Sequence, residues 1–152
     1  MKLKHYHHHR SRCNALTIIE VVIALALSAL TFGGIVSGHI FAAQKAEWSA
    51  YSLAAQSLAM QRMEQARSAK WDLLASPPVN QVVQANFPPI TNDVLDIPIA
   101  GSNIVYASTT TTISSVSTNV PLVLIRVECV WPFMDRGFFT NSIQTYRSPD
   151  QQ

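Results

Sequence analysis

Between Val21 and Gln44 the chain reads VVIALALSALTFGGIVSGHIFAAQ, without one charged side chain. As an α-helix these residues extend about 36 Å, enough to cross a hydrocarbon core of about 30 Å with some tilt. A secretory signal has a shorter apolar stretch, about 7–15 residues, with its small-residue cleavage site after that stretch. Here the run is longer, and the small residue, Ala15, precedes it. The run predicts a single membrane-spanning helix.

The flanks of the run set an orientation. Residues 1–15, MKLKHYHHHRSRCNA, contain Lys2, Lys4, Arg10 and Arg12 and no acid. Beyond the run only Lys45 lies close, offset by Glu47. Positive charge collects on the cytoplasmic side of a span, so the N-terminus is expected inside and the remainder outside. The histidines His5, His7, His8 and His9 belong to this basic stretch and are read as part of it rather than as metal ligands. His39, near the outer end of the run, is read as snorkelling to the interface.

The whole-chain net charge of +2 hides an asymmetry. Without residues 1–15 the chain carries seven Lys/Arg against nine Asp/Glu, a net charge of −2. That remainder offers no basic patch for a phosphate backbone, so no direct nucleic-acid partner is expected. The two cysteines, Cys13 and Cys129, fall on opposite sides of the apolar run, which argues against a disulfide between them.

Outward from the run, the helix is expected to continue. From Lys45 to about Leu74 there is no Pro or Gly, and good helix formers dominate. Tyr51, Ala55, Leu58, Ala66, Ala69 and Leu73 recur at helical spacing, broken by Arg62. Ser76-Pro77-Pro78 is the expected stop. Residues 79–103 read as loop with short extended pieces, punctuated by Pro88, Pro89, Pro98 and Gly101. Ile104–Ser115 is β-rich. In Leu122–Trp131, Val123, Ile125, Val127, Cys129 and Trp131 alternate with Leu124, Arg126, Glu128 and Val130. The first set is expected to face a core, with Phe138–Tyr146 returning as the second strand of an antiparallel hairpin. The predicted fold class is α+β: a long N-terminal helix whose outer half packs on a small antiparallel sheet.

At the inner edge of the run stands Ala15-Leu16-Thr17-Ile18-Ile19-Glu20. With the basic stretch before it and VVIALALSAL after it, this resembles the signature of type IV pilins and type II secretion pseudopilins. The resemblance implies a prepilin whose leader, 1–15, is removed by the prepilin peptidase, a membrane aspartyl protease, between Ala15 and Leu16. It also implies N-methylation of the new amine on Leu16. Ala15 stands where Gly is usual, and Leu16 where Phe is usual. Ser37 and the nearby glycines stand where many major pilins carry a helix-kinking Pro, which favours a minor pilin or pseudopilin. The stretch LAAQSLAMQRMEQARSAKWD, Leu53–Asp72, also resembles minor pilins and pseudopilins. The tail from Val130-Trp131 to Asp150 resembles, loosely, minor pseudopilins of the I type.

The organisation implied is a leader over 1–15, a transmembrane or filament-core half-helix over 16–44, and a periplasmic α+β domain over 45–152. The expected location is the inner (cytoplasmic) membrane as a single-pass protein, followed by assembly into a filament. The expected partners are the prepilin peptidase, other pilin or pseudopilin subunits, the inner-membrane assembly platform and membrane lipid. No enzyme activity, cofactor or metal is expected. Other readings are a major pilin or pseudopilin subunit and an uncleaved, membrane-anchored binding module. A membrane-anchored hydrolase lacks any recognisable set of catalytic residues.

Glu20 has a physical rationale apart from the family. A carboxylate at the bilayer centre costs about 2.5–3.5 kcal/mol, and less near the edge. Glu20 lies one helical turn from Leu16, so a free amine there, in the same chain or a neighbour, is its natural partner. With Thr17 beside it, Glu20 is expected to set the axial register between subunits. Gly33, Gly34 and Gly38 have two readings: a stretch that bends when the subunit leaves the membrane, or close packing of helices through small residues. Cys129 is expected to be a buried thiol rather than a nucleophile. Asn92, Asp93 and Asp96 are read as a solvated turn rather than a Ca²⁺ site. Trp131, Phe133, Phe138 and Phe139 are read as sheet core rather than an exposed binding patch.

Overall fold

A computed structural model describes residues 17–96, 104–117 and 119–150. The first element, α1 (Ile18–Ser68), is one unbroken helix of 51 residues. Six strands follow: β1 (Trp71–Asp72), β2 (Val79–Asn80), β3 (Ile90–Asp96), β4 (Val105–Ser117), β5 (Leu122–Pro132) and β6 (Phe138–Arg147). β1 and β2 form a two-stranded antiparallel sheet, and β3-β4-β5-β6 form a four-stranded antiparallel meander. The chain divides into two compact units, one ending at Ala43 and the other beginning at Gln44.

In the first unit the helix is exposed at every described residue, although Ile, Val, Leu, Phe and Ala dominate it. This is the helix among the described residues that is long and apolar enough to cross a membrane. Its backbone is satisfied internally, as a span in lipid requires.

The second unit holds the core. Ala55, Ala59, Met63 and Ala66 form the buried stripe of α1, with Tyr51, Leu58 and Ala69 packed beside it. Alanine at three of the four buried positions lets the sheet approach the helix backbone closely. From the sheet come Ile125, Val127, Cys129 and Trp131, each fully buried, in the alternation expected from the sequence. The opposite face of β5 carries Arg126 and Glu128, paired at 2.7 Å. The hairpin β5–β6 pairs without interruption from Val123↔Arg147 to Pro132↔Phe138.

Two expectations are corrected. The helix stops at Ser68, not near Leu74, because tertiary contacts claim the next residues. Arg147 donates from its Nη1 to the carbonyl of Ala66 at 2.7 Å, capping a carbonyl that the helix end leaves open. Trp71 donates its N–H to Asp150 Oδ2 at 2.8 Å, and its carbonyl accepts the Asp150 N–H at 2.7 Å. The hydrogen bond from the Trp71 N–H, with that from Arg147 beside it, holds the Asp150 carboxyl below its ordinary range. Trp71 and Asp72 are buried as β1, while Leu73, expected on the helical stripe, is exposed outside the helix. The second correction concerns residues 79–103. Ile90–Asp96 is a full strand at the sheet edge, β3, entered directly after Pro88-Pro89. Proline tolerates that place because it precedes the ladder and needs no donor there. Pro98 and Gly101 lie outside the described residues.

Candidate functional site

Ala15 and Leu16, the expected cleavage and methylation positions, lie outside the described residues, as do the basic stretch 1–15 and its histidines. Description begins at Thr17. There the Glu20 carboxylate accepts two hydrogen bonds from Thr17, one from its N–H at 2.8 Å and one from Oγ1 at 2.9 Å. Thr17 precedes the first helical residue, and Glu20 lies three residues on, the spacing of a capping box. Half of that motif is present: the glutamate reaches back to the N–H of the capping residue. The Thr hydroxyl donates to the glutamate instead of accepting from its backbone. The T-x-x-E spacing before an apolar run is legible in the sequence, and it gives Glu20 a partner within its own chain that the register argument alone does not supply.

Gly33, Gly34 and Gly38 sit in regular helix, and a Cβ built on each would meet nothing within 4 Å. Nothing described in this chain packs into the notch they leave. Of the two readings of these glycines, the packing one therefore needs a helix from another molecule. Ser28 and Thr31 turn their hydroxyls onto the carbonyls of Ala24 and Ser28, at 2.8 Å each, which keeps polar groups satisfied on an apolar helix. His39 is exposed on the same half-helix.

The acidic group of β3 is not a turn. Asn92 and Asp93 are strand residues, and Asp93 Oδ2 accepts a 2.6 Å hydrogen bond from the buried Thr109 hydroxyl. The side chain of Asp96 lies outside the described set. No cluster of three potential metal-ligating side chains occurs among the described residues.

Cys129 is buried, with the Thr109 hydroxyl 3.8 Å from its Sγ. Burial pushes its thiol upward from the ordinary value, against the opposing effect of that hydroxyl. A fragment beginning near Lys45 is expected to be a soluble, folded α+β domain. In it, Cys129 is expected to react with a thiol reagent only as fast as the sheet opens. Labelling at the rate of an exposed thiol in the folded fragment would mean that β5 is slipped by one residue, placing Arg126 and Glu128 inward.

The aromatic residues divide. Trp131 and Phe133 are buried, and Phe139 is half-buried against them. Trp131 stacks on Phe139 at 5.2 Å and meets Tyr51 edge-on at 6.1 Å. Phe138, by contrast, is 78% exposed: the two-residue alternation of β6 turns it to the outer face. Its assignment to the core is corrected for that reason.

Three polar residues with structural roles escaped the sequence reading. Asn141 accepts from Trp131 Nε1 at 2.8 Å and donates to the Ser52 carbonyl at 3.2 Å, joining sheet to helix. Gln84 donates from Nε2 to the Thr111 carbonyl at 2.7 Å and accepts the Ile113 N–H at 2.9 Å. It thus stands in for a strand along the edge of β4. Arg147 caps the helix end. Side-chain amides and guanidiniums meeting distant backbone leave no mark on local periodicity, so the sequence carries no signal for them. Compared with known proteins, the chain matches no family model, no curated protein and no solved structure.

Proposed function

We propose that this chain is a structural subunit, of the minor pilin or pseudopilin kind, of a type IV pilus-like or type II secretion filament. The observation that carries the reading is a division within one unbroken helix. Its first half, through Ala43, is apolar on every side and uncovered, whereas its second half buries Ala55, Ala59, Met63 and Ala66 beneath a sheet. A helix apolar all round needs a cover on all sides. Lipid supplies that cover for a precursor, and the helices of neighbouring subunits supply it in a filament. The Ala15–Glu20 signature and the basic stretch before it support the same reading.

In this reading the subunit enters the inner membrane with its basic leader in the cytoplasm and its α+β unit in the periplasm. The prepilin peptidase cuts between Ala15 and Leu16 and methylates Leu16. The assembly platform then draws the half-helix from lipid into a bundle with other subunits. Glu20 fixes the axial register there, and Gly33, Gly34 and Gly38 let the helix adjust or admit a neighbour. The reading assigns no catalytic residue and no cofactor.

Processing tests it. Intact-mass and N-terminal peptide analysis of protein extracted from membranes that contain the peptidase is expected to give a chain starting at N-methylated Leu16. A mature protein that keeps His5–Arg12 would be an anchored module instead, and the filament reading would fail.

A further inference from the structure

Three hydrogen bonds fix how the four-stranded sheet runs along the second half of α1. Arg136 Nη2 donates to Gln44 Oε1 at 3.3 Å, Asn141 Nδ2 to the Ser52 carbonyl at 3.2 Å, and Arg147 Nη1 to the Ala66 carbonyl at 2.7 Å. The numbers rise together on both sides, so β6 runs in the direction of α1. The turn between β5 and β6, residues 133–137, therefore lies at the end where Gln44 stands. The antiparallel pairing puts the turn between β4 and β5 at the other end.

Gln44 follows directly on the exposed apolar half of the helix. A bilayer has a headgroup layer of about 5–7 Å on each side of its hydrocarbon core. When the apolar run crosses the core, Gln44 to Trp48, about 6 Å of helix, occupy that layer. Trp48 suits it: the indole is 37% exposed and meets Phe139 edge-on at 6.0 Å, and tryptophan favours this depth in a membrane. A side chain hydrogen-bonded to Gln44 is held at the same depth.

The turn presents what a headgroup layer accepts. Phe133 is buried, but the next residue, Met134, has φ 44°, in the left-handed region that a residue with a side chain seldom takes, and stands 50% exposed. Gly137, at φ 92°, closes the turn, and Phe138, the first residue of β6, is 78% exposed. Between these two apolar side chains Arg136 is exposed. A guanidinium has five N–H donors, so one bond to Gln44 leaves others for a phosphate oxygen. Asp135 offsets the charge of Arg136 within the turn, so the apolar pair, not net charge, supplies the attraction. We propose that the β5–β6 turn docks on the bilayer that holds the span, with Met134 and Phe138 seated among the headgroups and Arg136 on a lipid phosphate. The inference rests on the apolar half of α1 lying in a membrane and does not need the filament.

The test uses the full chain carrying Cys13→Ser, which leaves the buried Cys129 as its native thiol. It is reconstituted in excess lipid, in vesicles of phosphatidylcholine and phosphatidylglycerol. Phe32→Cys, Leu74→Cys or Met134→Cys is added singly and given a nitroxide. Collisions of the nitroxide with oxygen, which concentrates in lipid, and with a water-soluble nickel chelate are read by electron paramagnetic resonance. Phe32→Cys is expected to meet oxygen and not nickel, which verifies the span. Leu74→Cys, exposed and beyond the end of α1 at Ser68, sets the value for water. Met134→Cys is expected to meet nickel several-fold less often than Leu74→Cys. Adding Arg136→Glu and Phe138→Asp is expected to return Met134→Cys to the water value, with unchanged protection of Cys129 verifying the fold. The first comparison stands whether or not those added changes disturb the turn. If Met134→Cys is as open to nickel as Leu74→Cys while Phe32→Cys lies in lipid, the proposal is overturned and the span stands. Shielding that survives the added changes would also overturn it, as would shielding that fades when the protein is diluted in lipid, the mark of contact between copies. Phe32→Cys open to nickel would overturn the span and the proposal together.

Discussion

Replacing Trp131 with Ala is expected to unfold most of the α+β unit at room temperature, or to leave it on the edge of unfolding. The indole is fully buried and touches four other rings: Trp48 at 6.1 Å, Tyr51 at 6.1 Å, Phe133 at 6.2 Å and Phe139 at 5.2 Å. Two of those rings stand on α1, one (Phe139) on β6 and one (Phe133) directly after the end of β5, so this side chain is where helix and sheet are joined. Truncating a buried Trp costs about 3–5 kcal/mol, against a total stability of about 5–15 kcal/mol for a domain. The loss is aggravated because Asn141 Oδ1 forfeits the 2.8 Å hydrogen bond from Nε1. Asn141 is half-buried, so the loss of this acceptor's partner adds less than the about 1–3 kcal/mol of a fully buried orphan. Urea unfolding of the fragment beginning near Lys45, followed by circular dichroism, measures this. Trp131→Phe, which keeps most of the ring volume and loses the N–H, is expected to fall between wild type and Ala. Phe138→Ala, on the outer face, is expected within about 0.5 kcal/mol of wild type. If Trp131→Ala is as stable as Phe138→Ala, the sheet does not rest on the helix through this ring.

The second large effect is expected at Glu20. Glu20→Ala should enter the membrane as well as wild type or better, because a charge leaves the apolar run. It should still be cleaved after Ala15, yet be lost from filaments. A carboxylate paired with a neighbour's amine in a dry helix bundle is an ion pair that costs about 3–5 kcal/mol to break from one side, a drop of more than about 100-fold in affinity. The hydrogen bonds from Thr17 demand a further variant, because they offer a rival explanation: Glu20 as a helix cap alone. Glu20→Gln keeps an oxygen for the Thr17 N–H and removes the charge. The register reading expects Gln to fail like Ala when filament content is measured by immunoblot of sheared fractions. If Gln assembles like wild type, Glu20 serves the helix start and not the neighbour.

These two sites differ in how far the sequence alone could reach them. The membrane-competent helix was legible because it depends only on composition over a long run: no charge from Val21 to Gln44, and no helix breaker for many residues beyond. The inward face of β5 was legible because a period-two alternation survives any packing that buries one side, and Ile125, Val127, Cys129 and Trp131 keep it. The Thr17–Glu20 spacing was likewise present to be read.

Other features depended on partners far away in the chain. Helix formers continue past Ser68, yet Arg147 and Asp150 take the carbonyl of Ala66 and the backbone of Trp71 and end the helix there. Phe138 and Phe139 are the same residue type side by side, and only the pairing of Phe139 with Trp131 decides which one is buried. Asn141 looks like any polar strand residue until Trp131 and Ser52 meet around it. Local sequence determines which segments become helix or strand, since propensity and periodicity are local. Where the helix ends, which aromatic ring goes inward and which polar group joins helix to sheet were decided by tertiary structure. The helix end and the helix–sheet joint depend on hydrogen bonds between residues tens of positions apart, and the choice of aromatic ring depends on the register of the β5–β6 hairpin.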